Sequence, residues 1–338
     1  MRTPTLTGLR RSRPGLPHQE QVGRRPVRIA VVGVGQIGRQ HLAALASTPG
    51  ATVVHIVDQH RARAEAAAQS AGGAEAGDDL DHTLSRDDVD AVVLATPTPQ
   101  HAAQAVAAMR AGKHVLVEIP VAESLPDARD VLDAQQATGL ICMVAHTRRF
   151  SPAHRWIRER LHAGDLHLEQ LLITTLFNRR RNVGLTGEPR DWTDNLLWHH
   201  AAGGVDLFGY HTDQVVAADV LQGPPHADLG IPIALSIQLQ SQARQLLTYA
   251  LSFGGAGDQG SWYTYVCREG TYLARGDSLT DRATGEPVDL AHLGAVGIQD
   301  QEFVASIAEG RQPESSLSAV WPCYEQLARL DAQLRDGG

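Results

Sequence analysis

The stretch Arg28-Ile-Ala-Val-Val-Gly33-Val-Gly35-Gln-Ile-Gly38 decides how the first half of this chain folds. It begins as a short apolar strand and runs directly into the pattern G-x-G-x-x-G. In such a loop the first glycine permits a tight turn, the second lets the backbone approach a pyrophosphate, and the third lets the next helix pack closely. The N-terminus of that helix also favours an anion. We therefore predict a dinucleotide site formed by Gly33, Gly35, Gln36, Ile37 and Gly38.

An acidic residue follows the second predicted strand, residues 52–57. This residue, Asp58, stands at the spacing from Gly38 where an acid that binds ribose is expected. An aspartate there accepts a hydrogen bond from a ribose 2′-hydroxyl and repels a 2′-phosphate, which favours NAD. Arg61 and Arg63 lie nearby in sequence and would hold a phosphate if Asp58 turned away. The residues themselves leave the choice between NAD and NADP open.

Strands and helices alternate along residues 27–146, which predicts a Rossmann domain with a parallel sheet. The predicted strands are residues 27–32, 52–57, 91–95, 114–117 and 140–144, and the predicted helices include residues 62–71, 101–111 and 126–138. The segment Ala95-Thr-Pro-Thr-Pro-Gln-His101 follows the third strand, and its prolines indicate a loop at the carboxyl edge of the sheet, where ligands bind. We therefore add Thr96, Pro97 and His101 to the predicted cofactor site.

Residues 147–338 have a different pattern, in which apolar and polar residues alternate with period two. This pattern predicts an α+β domain on a large, mostly antiparallel sheet. We expect this domain to bind the substrate and to form the contacts of an oligomer. The predicted strands are residues 171–177, 231–239, 246–253, 262–267 and 271–275, and helices are predicted near residues 299–309 and 317–334. The overall fold class is α/β, with this second domain following the Rossmann domain.

Composition excludes several classes of protein. The formal net charge of −8 argues against nucleic acid as a partner, and no apolar run is long enough to span a bilayer. The three cysteines, Cys142, Cys267 and Cys323, are far apart and lack metal spacing, so we expect a metal-free protein in a reducing cytoplasm. Residues 1–26 are rich in arginine and proline without an apolar segment, so we expect a disordered tail and not a secretory signal. An over-extended start of the coding sequence and a transit peptide are the alternatives for this segment.

Residues 27–335 resemble the glucose–fructose oxidoreductase/inositol dehydrogenase family. Beyond the glycine loop, the resemblance rests on Ala95-Thr-Pro-Thr-Pro-Gln-His101 and on Gly112-Lys-His-Val-Leu-Val-Glu118-Ile-Pro120. It implies that Glu118 belongs to the cofactor site. The family motif usually reads Glu-Lys-Pro, and its lysine lies against the nicotinamide and the substrate hydroxyl, whereas this chain has Ile119. A second family landmark is a histidine three residues before an aspartate; here Asp206 is present but position 203 is glycine.

Three longer stretches resemble one branch of that family. They are Glu118-Ile-Pro120, His146-Thr-Arg-Arg-Phe150-Ser-Pro-Ala-His154 and Gly187-Glu-Pro-Arg-Asp-Trp192-Thr-Asp-Asn-Leu-Leu-Trp198-His-His200. The resemblance implies oxidation of the cyclic hemiacetal of a dicarboxylate semialdehyde to a pyrone dicarboxylate, in protocatechuate 4,5-cleavage and generally with NADP.

Arginines in the second half suit a substrate with two carboxylates, because guanidinium groups bind carboxylates through paired, planar hydrogen bonds. We assign substrate binding to Trp198 and to the arginines Arg148, Arg149, Arg179, Arg180 and Arg181. Arg148 and Arg149 are the strongest candidates, because they follow the last predicted parallel strand at the edge where the nicotinamide end is expected.

Oxidation of a C–OH carbon needs a group that accepts the hydroxyl proton, and the family lysine is missing. Histidine titrates near neutrality, and His199 and His200 lie just before a predicted small-residue turn, Ala201-Ala-Gly-Gly204. We expect one of these two to be the catalytic base, with His211 or His146 next. The alternatives are a sugar or polyol dehydrogenase of the same family and a non-catalytic dinucleotide sensor. A homo-oligomer is expected in each case.

Overall fold

A computed structural model describes residues 25–179, 181–183, 193, 195–290 and 292–336. The first domain is a six-stranded parallel sheet in the order β3-β2-β1-β4-β5-β6. Its strands are β1 (Val27–Val32), β2 (Ala51–Val57), β3 (Glu75–Gly77), β4 (Ala91–Leu94), β5 (His114–Val117) and β6 (Cys142–Val144). Its helices are α1 (Gln36–Ala46), α2 (Arg61–Ser70), α3 (Leu80–Leu84), α4 (His101–Arg110) and α5 (Leu125–Thr138). This strand order confirms the Rossmann fold and reverses between β1 and β4, where such sheets bind their ligands.

The predicted strands and helices of this domain are present, with ends that shift by one or two residues. Strand β4 is buried along its whole length, and β1 and β5 almost so, which explains their nearly continuous apolar sequence. The sequence did not predict β3 or α3. These elements are only three and five residues long, too short for a hydrophobic period to appear.

The second domain is a seven-stranded sheet in the order β13-β12-β11-β7-β10-β9-β8. Its strands are β7 (Leu168–Leu176), β8 (Val215–Gln222), β9 (Ala234–Ser241), β10 (Leu246–Ser252), β11 (Gly260–Cys267), β12 (Thr271–Arg275) and β13 (Ser278–Asp281). Neighbouring strands are antiparallel except for the central pair of β7 and β10, so the prediction of a mostly antiparallel sheet is confirmed. The sequence did not predict β8, whose alternation is interrupted by a register shift between Val215 and Ala217.

Four helices complete the described chain: α6 (Pro152–Ala163), α7 (Ala202–His211), α8 (Ala295–Glu309) and α9 (Leu317–Asp336). The predicted turn at residues 201–204 is wrong, because these residues join a π-helical segment, Leu196–Ala201, to the start of α7. Small residues are needed there for packing. A Cβ on Gly204 would lie 2.5 Å from Cε1 of Tyr249, so the helix approaches the sheet closely only with glycine at this position.

Helices α8 and α9 return to the first domain and pack against it. Phe303 and Val304 of α8 are buried with Ile29 and Val31 of β1 in one apolar cluster. The hydroxyl of Tyr324 in α9 accepts a hydrogen bond from the Val121 backbone N–H at 2.9 Å. The C-terminal part of the chain therefore completes the packing of the first domain. Across the described residues, the structure contains no helix that is long and apolar enough to cross a membrane.

Candidate functional site

Two of the three loop glycines are required by the fold itself. Gly33 has φ of +86°, and a Cβ at this position would lie 2.5 Å from the carbonyl oxygen of Ala95. A Cβ on Gly38 would overlap the carbonyl oxygen of Gly33. These contacts draw α1 close to β1 and β4, so that the N-terminus of α1 opens at the carboxyl edge of the sheet.

The fold does not require a glycine at the remaining loop position, Gly35. A Cβ at Gly35 would have no atom of the described residues within 4 Å, and its φ of −65° suits any amino acid. Gln36 and Ile37 follow it at the surface, and the Ile37 side chain is 42% exposed although it is apolar. The loop therefore leaves an open cradle at a helix N-terminus, which fits a pyrophosphate in direct contact with the backbone.

Asp58 lies beside this cradle, where its backbone contacts fix its orientation. It is 8% exposed, its Oδ2 accepts from the Val34 N–H at 3.0 Å and its Oδ1 accepts from the His60 N–H at 2.9 Å. Arg61 pairs with Glu65, with 3.1 Å between its Nε and Oε1. The carboxylate is thus held at the glycine loop and has not turned away, an arrangement that fits a ribose 2′-hydroxyl.

The loops after β4 and β5 are joined by a buried histidine, which revises one predicted contact. His101 is 1% exposed, and its ring nitrogens lie 2.8 Å from the carbonyl oxygens of Thr96 and Pro120. Its side chain is therefore used inside the protein, where it positions both loops, and we no longer assign it to the cofactor surface. Thr96 and Pro97 remain partly exposed at the sheet edge.

Glu118 and Ile119 follow β5 at the same edge. Oε1 of Glu118 lies 3.0 Å from Nε2 of His41, and the other ring nitrogen of His41 contacts Asp300. Ile119, which stands in the place of the family lysine, packs partly buried against the main apolar core. Position 119 therefore provides no group that can exchange a proton.

A cavity of about 670 Å³ lies between the loop after β6 and the inner face of the second sheet. Its polar lining includes Arg148, His154, Ser261, Tyr263 and Arg275. The guanidinium carbon of Arg148 lies 5.1 Å from the centre of the Tyr263 ring. Arg148 Nε is buried and has no hydrogen-bond partner among the described residues. A buried, unsatisfied guanidinium donor is costly, and a bound anion would satisfy it.

Arg148 also occupies the space that a side chain at position 203 would need. A Cβ on Gly203 would lie 2.8 Å from Arg148 Nε and 3.4 Å from its Cδ. Position 203 is where the family landmark histidine is expected. In this chain the arginine from the loop after β6 occupies the volume beside α7 that a residue at 203 would otherwise fill.

Arg149 and Trp198 are placed differently from their predicted roles. Arg149 is buried, with its Nη2 2.6 Å and its Nε 2.8 Å from the two carboxylate oxygens of Asp206. This guanidinium, together with His146, holds the pKa of Asp206 well below its ordinary value despite burial. Trp198 is 1% exposed within the apolar core. Both side chains are committed to internal packing, so we withdraw them from the predicted substrate site.

The arginines of the run 179–181 differ in their surroundings. The guanidinium carbon of Arg179 lies 5.5 Å from the centre of the Phe253 ring, and that ring packs against His200. Arg181 is exposed, and Arg180 lies outside the described residues. Of the described pair, Arg179 is the one that the structure brings close to the predicted histidines.

The two predicted catalytic histidines lie in the π-helical segment before α7, and both are partly exposed. Nδ1 of His199 lies 2.9 Å from Oγ1 of Thr98, in the loop after β4. The His200 ring lies 4.8 Å from the Phe253 ring and 5.6 Å from Phe177, which lines the cavity. His199 thus lies at the carboxyl edge of the first sheet, and His200 contacts an aromatic ring that lines the cavity.

The other candidate bases are buried in networks of their own. Nε2 of His211 lies 3.1 Å from the hydroxyl oxygen of Tyr265, and that oxygen lies 2.7 Å from Nδ1 of His154. Burial, and then the charge of Arg148, lowers the pKa of His154 to about 3, so its imidazole is neutral. His146 lies beside Asp206, with 3.2 Å between its Nδ1 and Oδ2.

Sequence reasoning missed the residues that β11 supplies to the cavity. Ser261 and Tyr263 line the cavity, and with Tyr265 they alternate at period two on the inner face of that strand. The alternation was visible in the sequence, but it indicates only a strand with one buried face. The cavity appears only when this face is opposed to the loop that contains Arg148.

Models of two protein families match the chain. The model described as the oxidoreductase family with an NAD-binding Rossmann fold matches residues 27–146, and that of the C-terminal domain of bacterial oxidoreductases matches residues 152–294. The chain is 46% identical over 318 residues to 4-carboxy-2-hydroxymuconate-6-semialdehyde dehydrogenase of Sphingobium sp. (strain NBRC 103272 / SYK-6), covering 92% of this chain and 100% of that protein. It is 36% identical over 141 residues to scyllo-inositol 2-dehydrogenase (NAD(+)) of Bacillus subtilis (strain 168), covering 41% of each chain.

Solved structures share the fold. Levoglucosan dehydrogenase in complex with NADH has a TM-score of 0.79 at 16% identity, covering 92% of this chain and 98% of that one. A 3-ketoreductase from Actinomadura kijaniata in complex with NADP has a TM-score of 0.74 at 18% identity, covering 91% of this chain and 98% of that one. With both domains matched and one relative similar along its whole length, the chain belongs to the oxidoreductase family with an NAD-binding Rossmann fold that includes the inositol dehydrogenases.

Proposed function

We propose that this protein oxidises the cyclic hemiacetal of 4-carboxy-2-hydroxymuconate-6-semialdehyde to 2-pyrone-4,6-dicarboxylate, with NAD or NADP as the hydride acceptor. The observation that supports this substrate is Arg148, which lines the cavity at the sheet edge and whose buried Nε–H has no hydrogen-bond partner among the described residues. The similarity to the Sphingobium enzyme extends over both domains, whereas the similarity to the inositol dehydrogenase covers 41% of the chain. The substrate domain therefore favours the dicarboxylate.

The cavity lining includes one cation with a buried, unpartnered donor, Arg148, which suits a carboxylate of such a substrate. Arg275 also lines the cavity, but its guanidinium pairs with Asp258 at 3.6 Å and lies over the Trp262 ring, and Asp277 adds a carboxylate to the lining. Each charge-assisted hydrogen bond to a carboxylate contributes about 1.5–3 kcal/mol. Arg179 lies near by, beyond Phe253, and is a further candidate. A polyol, which has no charge, would leave the buried Arg148 donor without an anion.

His199 is our choice as the base, because its hydrogen bond to Thr98 ties it to a loop of the cofactor domain. In the reactive form, Nδ1–H donates to Thr98 Oγ1 and Nε2 holds the lone pair that accepts the proton. The bound dinucleotide supplies the hydride acceptor. The hemiacetal carbon loses a hydride, its hydroxyl proton passes to His199, and the C–O bond becomes the lactone carbonyl. Ile119 places an apolar side chain where the family lysine otherwise stands, so the proton has no acceptor there.

The outer face of the second sheet supports a homo-oligomer. It exposes Leu172, Leu221 and Leu246 at the surface, with Leu221 76% exposed, while the opposite face packs against helices. Exposed apolar side chains on a broad sheet face are typical of interfaces between copies of one chain. The buried thiols of Cys142, Cys267 and Cys323 support our placement of the enzyme in the cytoplasm.

The activity is tested with the purified protein. 4-Carboxy-2-hydroxymuconate-6-semialdehyde is generated by 4,5-cleavage of protocatechuate and added with NAD or NADP, while the absorbance of the reduced nicotinamide is recorded. We expect turnover, with 2-pyrone-4,6-dicarboxylate identified by mass spectrometry. Scyllo-inositol is the matched substrate without carboxylates. Faster turnover of the inositol, or binding of a dinucleotide without turnover of either compound, contradicts the proposal.

A further inference from the structure

A buried histidine connects the glycine-loop helix with the residue at the end of β5. His41 of α1 is 1% exposed, and its Nδ1 lies 3.0 and 2.9 Å from the two carboxylate oxygens of Asp300 in α8. Its Nε2 lies 3.0 Å from Oε1 of Glu118. Asp300 is fully buried, whereas the side chain of Glu118 is 18% exposed at the sheet edge. The cluster thus runs from the protein interior to the surface of the cofactor site.

The geometry of this cluster defines its protonation. Burial raises the pKa of Asp300, and the charge of His41 and its hydrogen bond oppose that shift. When both carboxylates are ionised they accept hydrogen bonds and do not donate them, so both ring nitrogens of His41 are then N–H donors. Burial alone lowers the pKa of His41, but the charge of Asp300 and the hydrogen bonds to Asp300 and Glu118 outweigh it and raise the pKa to about 10. His41 is therefore an imidazolium ion at neutral pH.

Glu118 lies where the nicotinamide half of the dinucleotide is expected. The glycine loop after β1 fits the pyrophosphate and Asp58 after β2 fits the adenosine ribose, so the other half of the cofactor extends over the ends of β4 and β5. His41 occupies one oxygen of Glu118. Among the described residues, the second oxygen, Oε2, has no hydrogen-bond partner.

We propose that His41 is a positioning residue, which fixes the carboxylate of Glu118 so that Oε2 contacts the nicotinamide end of the cofactor. Asp300 supplies the buried counter-charge that keeps both ring nitrogens protonated. Gln299, next to Asp300, accepts a hydrogen bond from Thr147 at 2.8 Å, and Thr147 precedes Arg148. Helix α8 therefore supports the cofactor site through Asp300 and the loop that contains Arg148 through Gln299.

The test is a double-mutant cycle read by calorimetric titration of the dinucleotide. His41→Gln removes the charge and one of the two donors, so we expect cofactor binding about tenfold weaker. Glu118→Gln is expected to weaken it at least as much. If His41 acts through Glu118, His41→Gln produces no further loss in the Glu118→Gln background. An unchanged Kd in the single variant, or an equal loss in both backgrounds, overturns the proposal.

Controls separate positioning from folding. His55 is an equally buried histidine of the same domain, bonded to Thr83 at 3.0 Å, and we expect His55→Gln to reduce stability without changing the cofactor Kd. Asp300→Asn, which keeps the shape of the side chain, replaces His41→Gln in the cycle if that variant does not fold. Nitrogen-15 NMR at pH 8 should show that the imidazole of His41, identified by the signals that His41→Gln lacks, has both nitrogens protonated and that Asp300→Asn loses this state. A neutral His41 at that pH contradicts the proposed clamp on Glu118.

Discussion

The Nε atom of Arg148 lies 2.8 Å from the point where a Cβ of Gly203 would stand. These residues come from different elements, the loop after β6 and helix α7. The position of the arginine side chain accounts for the glycine at 203, and the glycine leaves room for that side chain. A larger residue at 203 would displace the guanidinium, and Gly203 leaves the volume that the guanidinium fills. The exchange of a family histidine for glycine is thus coupled to an arginine that can bind an anion.

This coupling predicts the effect of a single methyl group. In Gly203→Ala the new Cβ must push Arg148 away from its position, so we expect kcat/KM for the dicarboxylate to fall by about 10- to 100-fold. Gly209→Ala lies on the same helix and is the matched control, because its Cβ would meet no described atom within 4 Å. That variant should retain its kinetics and gain up to about 1 kcal/mol of stability. Equal kinetics in the two variants would refute the coupling.

The glycine loop predicts two opposite outcomes within one motif. Gly35→Val fills open space, so we expect stability within about 0.5 kcal/mol of the wild type but dinucleotide binding weaker by about 10²-fold or more. Gly38→Ala instead collides with the Gly33 carbonyl and should lower the free energy of unfolding by about 3 kcal/mol. Thermal melts and calorimetric titrations of both variants measure the contrast. Normal NAD binding by Gly35→Val would contradict the assignment of the pyrophosphate site to the loop at Gly35.

The choice of base predicts a pH effect. His199→Asn should lower kcat by about 10²–10⁴-fold and remove the inflection of kcat near neutral pH, while KM for the substrate changes little. Thr98→Val keeps the shape of the threonine but removes the partner of His199 Nδ1, so it should shift that inflection and lower kcat less. His200→Asn is the comparison variant. If it alone abolishes the inflection, the base is His200.

The fixed carboxylate of Asp58 predicts a change in cofactor preference. Asp58→Ser removes a negative charge that is held beside the glycine loop by two backbone N–H groups. We expect the ratio of the Kd for NADP to the Kd for NAD to fall by about tenfold, because the 2′-phosphate is no longer repelled. An unchanged ratio would show that Asp58 does not face the 2′ position.

The protonated His41 predicts how stability depends on pH. The pKa is raised from 6.5 to about 10 in the folded state, so the contribution of this residue is fully present below pH 6.5. It is lost as pH rises from that value towards about 10. Denaturant melts of the wild type and His41→Gln across this range should therefore converge at high pH. A constant difference between them contradicts the imidazolium.

The fold was largely predictable because its signals are local. Buried parallel strands produce uninterrupted apolar runs, and the glycine loop needs its three glycines at fixed spacing. The site was only partly predictable because it depends on contacts between distant residues. Arg148 and Arg149 are adjacent and look alike in sequence, yet Asp206 pairs with one and Gly203 makes room for the other. Trp198 is similar, since only the packing of the core distinguishes a buried indole from one that lines a site.

Substrate binding by Arg148 is tested most directly by kcat/KM of Arg148→Ala for the hemiacetal of 4-carboxy-2-hydroxymuconate-6-semialdehyde. The Kd for the dinucleotide is measured on the same variant. Loss of a charge-assisted contact with a carboxylate should reduce kcat/KM by about 10²-fold and leave the cofactor Kd within about twofold of the wild type. A kcat/KM equal to that of the wild type would contradict the claim that Arg148 binds the substrate.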